Sequence, residues 1–415
     1  MKNTKKFPTK YAIRFLVGLV FAVFTKLFRI KKNMPLEVLK LKPPYLVLGN
    51  HVGYWDPFIM GYFLPHFTHF ISSDTTLRSP FIRFFITRLG TIPIKKNIRD
   101  TKAIRGIISV IKQEENVGIF PEALRSWSGS SFKIDASIVK LIKFLKVPVV
   151  VPVIKGMSLF NPRWSTKLRY TRVEVDYKLV ITTDTLEQLS HSAVYDKLNA
   201  ALHHDEVAYQ RKHMHKIYSR NKAEHIGHAL YVCPSCYAID SFRAAGNNFS
   251  CTDCHYDIHI DVYGFYKRIS KGELFFNNIR DWYNWEEKWL LNYVNNKFDN
   301  KSANVIFEDK NSKFFHSSSD GEMDFIDTVN LKLYTDKIEI ESLSNKKRII
   351  LNFEDLQTIN PQINERIEIY YADEAYRFVG EGAGVSGLKW EVAVNALWKK
   401  LGQNHKLSVY IEQDK

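Results

Sequence analysis

The chain has 415 residues, 45% of them hydrophobic, 14% aromatic and 25% charged, with a net charge of +15 at pH 7. That composition excludes a disordered chain, a collagen-like repeat and a polytopic membrane protein, and the length suits two or three domains, each with its own core. The charge is uneven: residues 1–200 carry 32 Lys and Arg against 13 Asp and Glu, whereas residues 201–415 carry 27 against 31, so the basic half needs an anionic partner, either nucleic acid, a phospholipid surface or a phosphorylated substrate.

In chain order, the first feature is a basic, apolar segment over residues 1–32. Lys2, Lys5, Lys6, Lys10 and Arg14 precede an apolar run from Phe15 to Thr25, and Lys26, Arg29, Lys31 and Lys32 follow it. Its eleven residues fall well short of the roughly 20 that a helix needs to span a bilayer, and its bulky, basic end is unlike a secretory cleavage site. The segment is expected to lie flat at an anionic membrane surface, with Phe15, Phe21, Phe24 and Phe28 inserted and lysines meeting headgroups. The alternative is an ordinary amphipathic helix packed on its domain.

Beyond residue 40, short β-rich runs alternate with helical ones. Strands are predicted at Tyr45–Leu48, His69–Ser72, Thr91–Ile94, Val117–Phe120, Val147–Ile154 and Arg169–Leu179, and helices at Ser79–Leu89, Thr101–Glu115 and Ser137–Leu145. The alternation predicts an α/β fold with a mostly parallel sheet flanked by helices, whose ligands gather at the carboxyl ends of the strands. Polar residues stand at those ends. After the first strand comes Asn50-His51-Val52-Gly53-Tyr54-Trp55-Asp56-Pro57. On a continuous helix His51 and Asp56 would lie about 140° apart, so pairing them needs a turn; Gly53 permits it, and Asp56-Pro57 reads as an N-cap followed by proline. The pair then reads as a base with its orienting carboxylate. Spacing alone does not discriminate: Asp56 could simply cap a helix, and His191 and Asp196 repeat the spacing in a polar helical stretch. After the fourth strand Pro121 ends the ladder and displays Glu122 and Arg125 on a loop, and Lys95 and Lys96 follow Ile94. Lysine and arginine in such a site suit a phosphate.

These blocks resemble the motifs of the glycerolipid acyltransferase family, the group that contains lysophosphatidic acid acyltransferases. Asn50–Asp56 resembles its N-H-x-x-x-x-D block and Gly90–Asn97 its G-x-I-x-I-x-R block, with Lys96 for arginine. Phe120–Ser126 resembles F-P-E-G-T-R-S, with Ala123 and Leu124 for glycine and threonine, and Val151-Pro152-Val153 the late V-P-V block, in order over residues 10–185. The resemblance implies a step of phospholipid biosynthesis: transfer of a fatty acyl group from acyl-CoA or acyl carrier protein to a lysophospholipid, foremost 1-acylglycerol-3-phosphate, giving phosphatidic acid. It implies a peripheral or monotopic enzyme on the cytoplasmic face of the inner (plasma) membrane, with aromatic patches such as Phe81, Phe84 and Phe85 near lipid. His51 would take the acceptor proton, Asp56 would fix its tautomer, Lys96 and Arg125 would hold the phosphate, and Glu122 would organise Arg125 or the acceptor's polar groups. Loop amides near the first or third block would meet the oxyanion. Leu124 removes a hydroxyl that could touch the acceptor, which leaves glycerol-3-phosphate, another lysolipid, a glycolipid or an ornithine-type lipid as alternatives. A lipid-holding scaffold without catalysis is the alternative to an enzyme.

Residues 185–225 read as a charged helical linker, whose His203, His204, His213 and His215, without the acid or cysteine pattern of a metal site, read as a solvated helix face. Then come all four cysteines, Cys233-Pro-Ser-Cys236 and Cys251-Thr-Asp-Cys254. Two C-x-x-C pairs so spaced resemble a zinc ribbon, a closed four-thiolate site that folds its unit rather than catalyses; two disulfides are the alternative. Between the outer cysteines stand Arg243, Asp240 and Asp253, a balance that points to a protein partner or to bracing of neighbouring domains and away from nucleic acid. The remainder is predicted as a helix at Asn278–Tyr293, then strands at Asn304–Phe307, Lys313–Phe315, Thr328–Tyr334, Lys337–Ile340, Arg348–Phe353, Arg366–Tyr371 and Ala375–Val379, and a last helix at Ser386–Leu401. Such a mostly-β domain closed by one helix resembles a pleckstrin-homology (PH) domain. The predicted segments are 1–32 (membrane interface), 33–215 (acyltransferase), 216–260 (ribbon) and 261–415 (PH-like).

Overall fold

A computed structural model describes residues 7–73, 80–94, 100–122, 124–300, 305–318, 323–361, 366–372, 374–380 and 385–407. The chain divides into two compact units, Met1–Arg163 with Arg169–Ile217, and Trp164–Leu168 with Tyr218–Lys415. Among the described residues no helix is long and apolar enough to cross a membrane.

The first unit has strands β1 (Lys31–Asn33), β2 (Leu46–Leu48), β3 (Thr68–Ser73), β4 (Ile92–Ile94), β5 (Asn116–Ile119), β6 (Val149–Lys155) and β7 (Glu174–Ile181). They form one sheet in the order β1-β7-β6-β2-β5-β3-β4, parallel throughout except between β6 and β7. The helices between them are α1 (Tyr11–Leu27), α2 (Leu36–Leu39), α3 (Asp56–Phe63), α4 (Pro80–Arg88), α5 (Thr101–Ile111), α6 (Ser137–Leu145), α7 (Met157–Phe160), α8 (Thr183–Gln188), α9 (His191–Leu202) and α10 (Glu206–His213). Residues Val149 to Ile154 are buried without interruption, as a strand covered on both faces requires. Asp100 caps α5 by accepting the N–H groups of Lys102 and Ala103, and Ile107, Val110, Ile138 and Ile142 pack with the strands in one core.

Two buried asparagines complete what the short strands leave open. Tyr45 N–H donates to Asn116 Oδ1 (3.0 Å), and Asn116 Nδ2 donates to the Phe67 carbonyl (3.2 Å), so the starts of β2 and β3 are tied to the strand between them. Past the end of β2, Asn50 Nδ2 donates to the Ile154 carbonyl (3.0 Å) and Asn50 Oδ1 accepts the Ile154 N–H (2.8 Å). One side-chain amide thereby extends the pairing along β6 and fixes where the following loop begins.

Two expectations change. Most of the segment read as a linker, up to Ile217, is part of the first unit: Leu186, Val194, Leu198 and Leu202 from α8 and α9 lie in the same core as Ile138 and Val151. The helical reading holds, and what the charged neighbours hid is that one face of these helices is buried. In α1 the phenylalanines expected to enter lipid instead pack inward: Phe21 stacks on Phe58 (5.4 Å between ring centres), Phe24 on Trp55 (5.1 Å), and Phe28 meets Phe160 edge-on (5.0 Å). Only Phe15 of the four is exposed, on a face shared with Leu16, Leu19, Val20, Val23 and Leu27. Both faces are apolar, so the sequence could not say which one the domain would take.

In the second unit, β8 (Phe242–Ala245), β9 (Asn248–Cys251), β10 (Asp257–Ile260) and β11 (Tyr266–Arg268) form an antiparallel sheet. A long helix, α11 (Ile279–Asp299), is joined to it through fully buried Trp282, which sits among Phe242, Phe249, Tyr256 and Tyr266. Its Glu286 accepts the N–H groups of Tyr231 and Val232. A second antiparallel sheet follows, of β12 (Phe307–Ser318), β13 (Asp324–Leu333), β14 (Lys337–Ser342), β15 (Arg348–Asn352), β16 (Leu356–Pro361), β17 (Arg366–Tyr371) and β18 (Glu374–Val379), closed by α12 (Gly387–Lys400). This is the mostly-β arrangement with a closing helix that the sequence predicts, with two differences of detail. The strands expected on either side of residues 308–312 are one long strand with a register shift between Asp309 and Ser312, where Asn311 takes φ 56°; the polar residues there form a bulge, not a turn. Leu356–Pro361 is a strand that its Gln, Thr and Asn concealed.

Candidate active site

β2 and β5 are parallel neighbours, so the loops that follow them leave the sheet at the same edge, and they carry His51, Asp56, Glu122 and Arg125. His51 Nδ1 lies 2.8 Å from Asp56 Oδ2. The same oxygen accepts the N–H groups of Val52 (2.6 Å) and Gly53 (2.8 Å). Asp56 is completely buried, and the His51 side chain is 21% exposed. A carboxylate that already accepts two amides acts as an acceptor toward the imidazole as well, so Nδ1 carries the proton and, in the neutral ring, Nε2 carries the lone pair. Asp56 begins α3 as its first residue, with Trp55 in the cap position. It therefore turns back to the loop instead of capping the helix, which corrects the N-cap reading.

Packing fixes the imidazole from its other side. Gly118 in β5 leaves room for the Phe70 ring, which a Cβ would meet at 2.4 Å. Phe70 stacks on Phe120 (5.8 Å) and Phe120 on His51 (4.1 Å, planes 16° apart).

Glu122 is buried, and its Oε2 accepts the Phe132 N–H (3.2 Å). Burial pushes its carboxyl well above the usual range; the N–H groups of Phe132 and His51 pull the other way, and Asp56 pushes it further up. The expected partnership with Arg125 does not form, because Glu122 faces inward while Arg125 turns to Tyr54. The Arg125 guanidinium lies 4.0 Å above the Tyr54 ring and its Nη2 donates to the Tyr54 hydroxyl (3.3 Å). Ser126 N–H donates to the His51 carbonyl (2.9 Å), which ties the two blocks together. Val151, Pro152 and Val153 lie buried within β6. Lys95, Lys96, Asn97 and Ala123, and the side chain of Phe81, lie outside the described residues. The Val52, Gly53 and Ser126 amides are committed to Asp56 and the His51 carbonyl, so they are not the expected oxyanion donors. Sequence reasoning missed the functions of Asn50 and Tyr54, although both lie inside the first block.

The four cysteines meet in the second unit, their sulfurs all within 4.8 Å of one another. Cys233 and Cys254 are 3.6 Å apart, as are Cys236 and Cys251, and all four are free thiols. An ion bound by four sulfurs at about 2.3 Å puts them about 3.8 Å apart, so the cluster fits a tetrahedral metal and not two disulfides. Both halves have the same build. The Tyr237 N–H returns to the Cys233 carbonyl (2.8 Å) and the His255 N–H to the Cys251 carbonyl (3.0 Å), with φ 62° at Tyr237 and 55° at His255. The Cys233 sulfur accepts the amides of Cys236 and Ser235, and the Cys251 sulfur those of Cys254 and Asp253. Burial raises the Cys233 thiol and pushes Cys236 up to about 11, so a cation would displace protons on binding.

Residues 29–155 match the family model described as Acyltransferase, a stretch that includes His51, Asp56, Glu122 and Arg125. The chain is 28% identical over 97 residues to the 1-acyl-sn-glycerol-3-phosphate acyltransferase of Borreliella burgdorferi, covering 23% of this chain and 39% of that protein. It is 24% identical over 129 residues to the protein of the same name from Bacillus subtilis, covering 31% and 61%. The matches thus span less than two thirds of either curated relative. Among solved structures, the 1-acyl-sn-glycerophosphate acyltransferase PlsC from Thermotoga maritima aligns with 46% of this chain and 78% of its own, at 16% identity and a TM-score of 0.40. The Vps36 N-terminal PH domain aligns with 25% and 84%, at 16% identity and a TM-score of 0.20.

The buried Glu122 carboxyl makes stability depend on pH. Its folded pKa is raised, so the stability it contributes is complete below the ordinary value of 4.5 and is lost as pH rises through the folded pKa. Glu122→Gln is expected to gain stability relative to the parent as pH rises from acid to neutral, read from denaturant midpoints; a difference that stays constant with pH contradicts the assignment.

Proposed function

We propose that the first unit transfers a fatty acyl group from acyl-CoA or acyl carrier protein to a lysophospholipid hydroxyl, foremost 1-acylglycerol-3-phosphate, giving phosphatidic acid. The observation that carries this reading is the His51–Asp56 pair, with its lone pair at Nε2, inside the stretch that matches the Acyltransferase model. Nε2 takes the acceptor hydroxyl proton as the oxygen attacks the thioester carbonyl. The tetrahedral intermediate collapses by breaking the C–S bond, and the imidazolium returns its proton to the leaving thiolate, so an ester and a free thiol result and His51 is neutral again. Asp56 keeps Nδ1 protonated and stabilises the imidazolium. Arg125 holds the acceptor phosphate, and Lys96 is its second cation in this reading. With Ala123 and Leu124 in the third block, a panel of acceptors including glycerol-3-phosphate, other lysolipids, glycolipids and ornithine lipids identifies the substrate.

The exposed apolar face of α1, flanked by Lys10, Arg14, Lys26 and Arg29, supports attachment to an anionic membrane surface, because interfacial helices pair such a face with basic residues; in this reading that surface is the cytoplasmic face of the inner (plasma) membrane. The cysteine cluster supports a structural zinc ion. Nucleic acid has no part in this reading, since the excess positive charge lies with the lipid-handling half.

Thioester consumption by the purified protein tests the chemistry. His51→Ala is expected to lower turnover by roughly 10²–10⁴-fold, and Asp56→Asn to lower it strongly through loss of the tautomer control; full activity in His51→Ala refutes the mechanism, and no turnover with any acceptor favours a scaffold. Replacing both Leu19 and Val23 with aspartate is expected to reduce cosedimentation with anionic vesicles at unchanged melting temperature; undiminished sedimentation assigns the contact to another surface. Metal analysis should find about one zinc per chain, lost in Cys233→Ser with Cys236→Ser, and a metal-free, folded protein counts against the ribbon.

A further inference from the structure

We propose that Arg163 is a positioning residue for Arg125 and sets how tightly the acceptor's anionic headgroup is held; the inference rests on the phosphate-binding role given to Arg125 above. Arg163 is only 6% exposed, although it lies in a polar loop beyond α7. Its Nη1 donates to the Arg125 carbonyl (2.6 Å), and its guanidinium lies 3.9 Å above the Trp127 ring.

The Arg125 carbonyl and the Ser126 N–H belong to one planar peptide unit. That plane is held on both edges, its C=O by Arg163 and its N–H by the His51 carbonyl (2.9 Å). Holding the plane fixes the backbone torsion on its Arg125 side, and with it the direction in which the Arg125 side chain leaves the loop. The Tyr54 ring then supports the guanidinium. Further along, the Ser126 hydroxyl accepts the Gly129 N–H (2.8 Å) and Trp127 is covered by Arg163, so the loop has little freedom to recover once the plane is released. A charge-assisted bond to a carbonyl is stronger than a neutral one, and the flat guanidinium can bond the carbonyl at its edge while stacking on an indole with its face, which an ammonium cannot do. A side chain as long as arginine magnifies a small backbone rotation at its tip, and a displacement of about 1 Å in a positioning group can cost on the order of 10² in rate or affinity.

The test is steady-state kinetics with acyl-CoA and lysophosphatidate for the parent, Arg125→Gln, Arg163→Gln and Arg163→Lys, each checked by thermal melting. Arg163→Gln is expected to raise the acceptor KM about tenfold, with kcat within about threefold and the acyl-CoA KM unchanged, a split that general loosening of the fold does not produce. Arg163→Lys, which keeps charge and donor but loses the flat stack, is expected to fall between the two, and it carries the test if Arg163→Gln does not fold. An unchanged acceptor KM in a folded Arg163 variant, while Arg125→Gln raises it, overturns this inference alone. Equal losses in both KM values and kcat overturn it as well. An unchanged KM in Arg125→Gln, or no turnover with the parent, overturns the phosphate reading beneath it.

Discussion

One carboxylate oxygen organises the candidate active site. Asp56 Oδ2 is buried and meets three donors, the imidazole Nδ1 and two consecutive backbone amides. An ionised carboxylate withdrawn from water is costly unless hydrogen bonds replace its hydration, so the turn through Val52 and Gly53, the approach of His51 and the protonation of Nδ1 form together. Asp56 also starts α3, where a negative charge is favoured by the helix dipole.

Around that oxygen, the first unit uses buried polar side chains where its strands are too short to pair. Asn50 completes β6 beyond the end of β2, and Asn116 joins the starts of β2 and β3. Each side-chain amide both donates and accepts, standing in for a rung of the ladder, which is why they can be buried. The ring stack from Phe70 through Phe120 to His51 starts from Gly118, so a missing side chain in a strand is felt at the base. Arg163 belongs to the same logic: it is buried in a loop with its Nη1 bonded to the Arg125 carbonyl and its flat face on the Trp127 ring.

The second unit is held by different means. Two matching cysteine turns supply the ligand cluster, and Trp282 and Glu286 of α11 pack on the hairpins beside it. Lys389 of α12, buried and pushed to a lower pKa by that burial, pairs with Asp240 and Asp309. Asp240 lies between the two cysteine pairs and Asp309 at the bulge of β12, so one ammonium joins the four-cysteine segment, the sheet and the closing helix. A buried pair of this kind adds little net stability, because the cost of desolvating the charges offsets their attraction.

The sequence by itself determined the elements whose signals are local: the strand–helix alternation and mostly parallel sheet, the His51–Asp56 block with the glycine that lets it turn, the two C-x-x-C pairs, and the β-rich end with its closing helix. These rest on periodicity, turn chemistry and ligand spacing within a few residues. Tertiary structure alone decided which of two apolar faces of α1 is covered, that α8 and α9 belong to the core, that Glu122 faces inward while Arg125 rests on Tyr54, and that Arg163 reaches Arg125. Each of these depends on partners far away in the chain. An arginine in a polar loop reads as a surface residue until the carbonyl and the ring that occupy it are brought alongside. Polar side chains are buried only where their hydrogen bonds are met, and the groups that meet them are assembled by the fold.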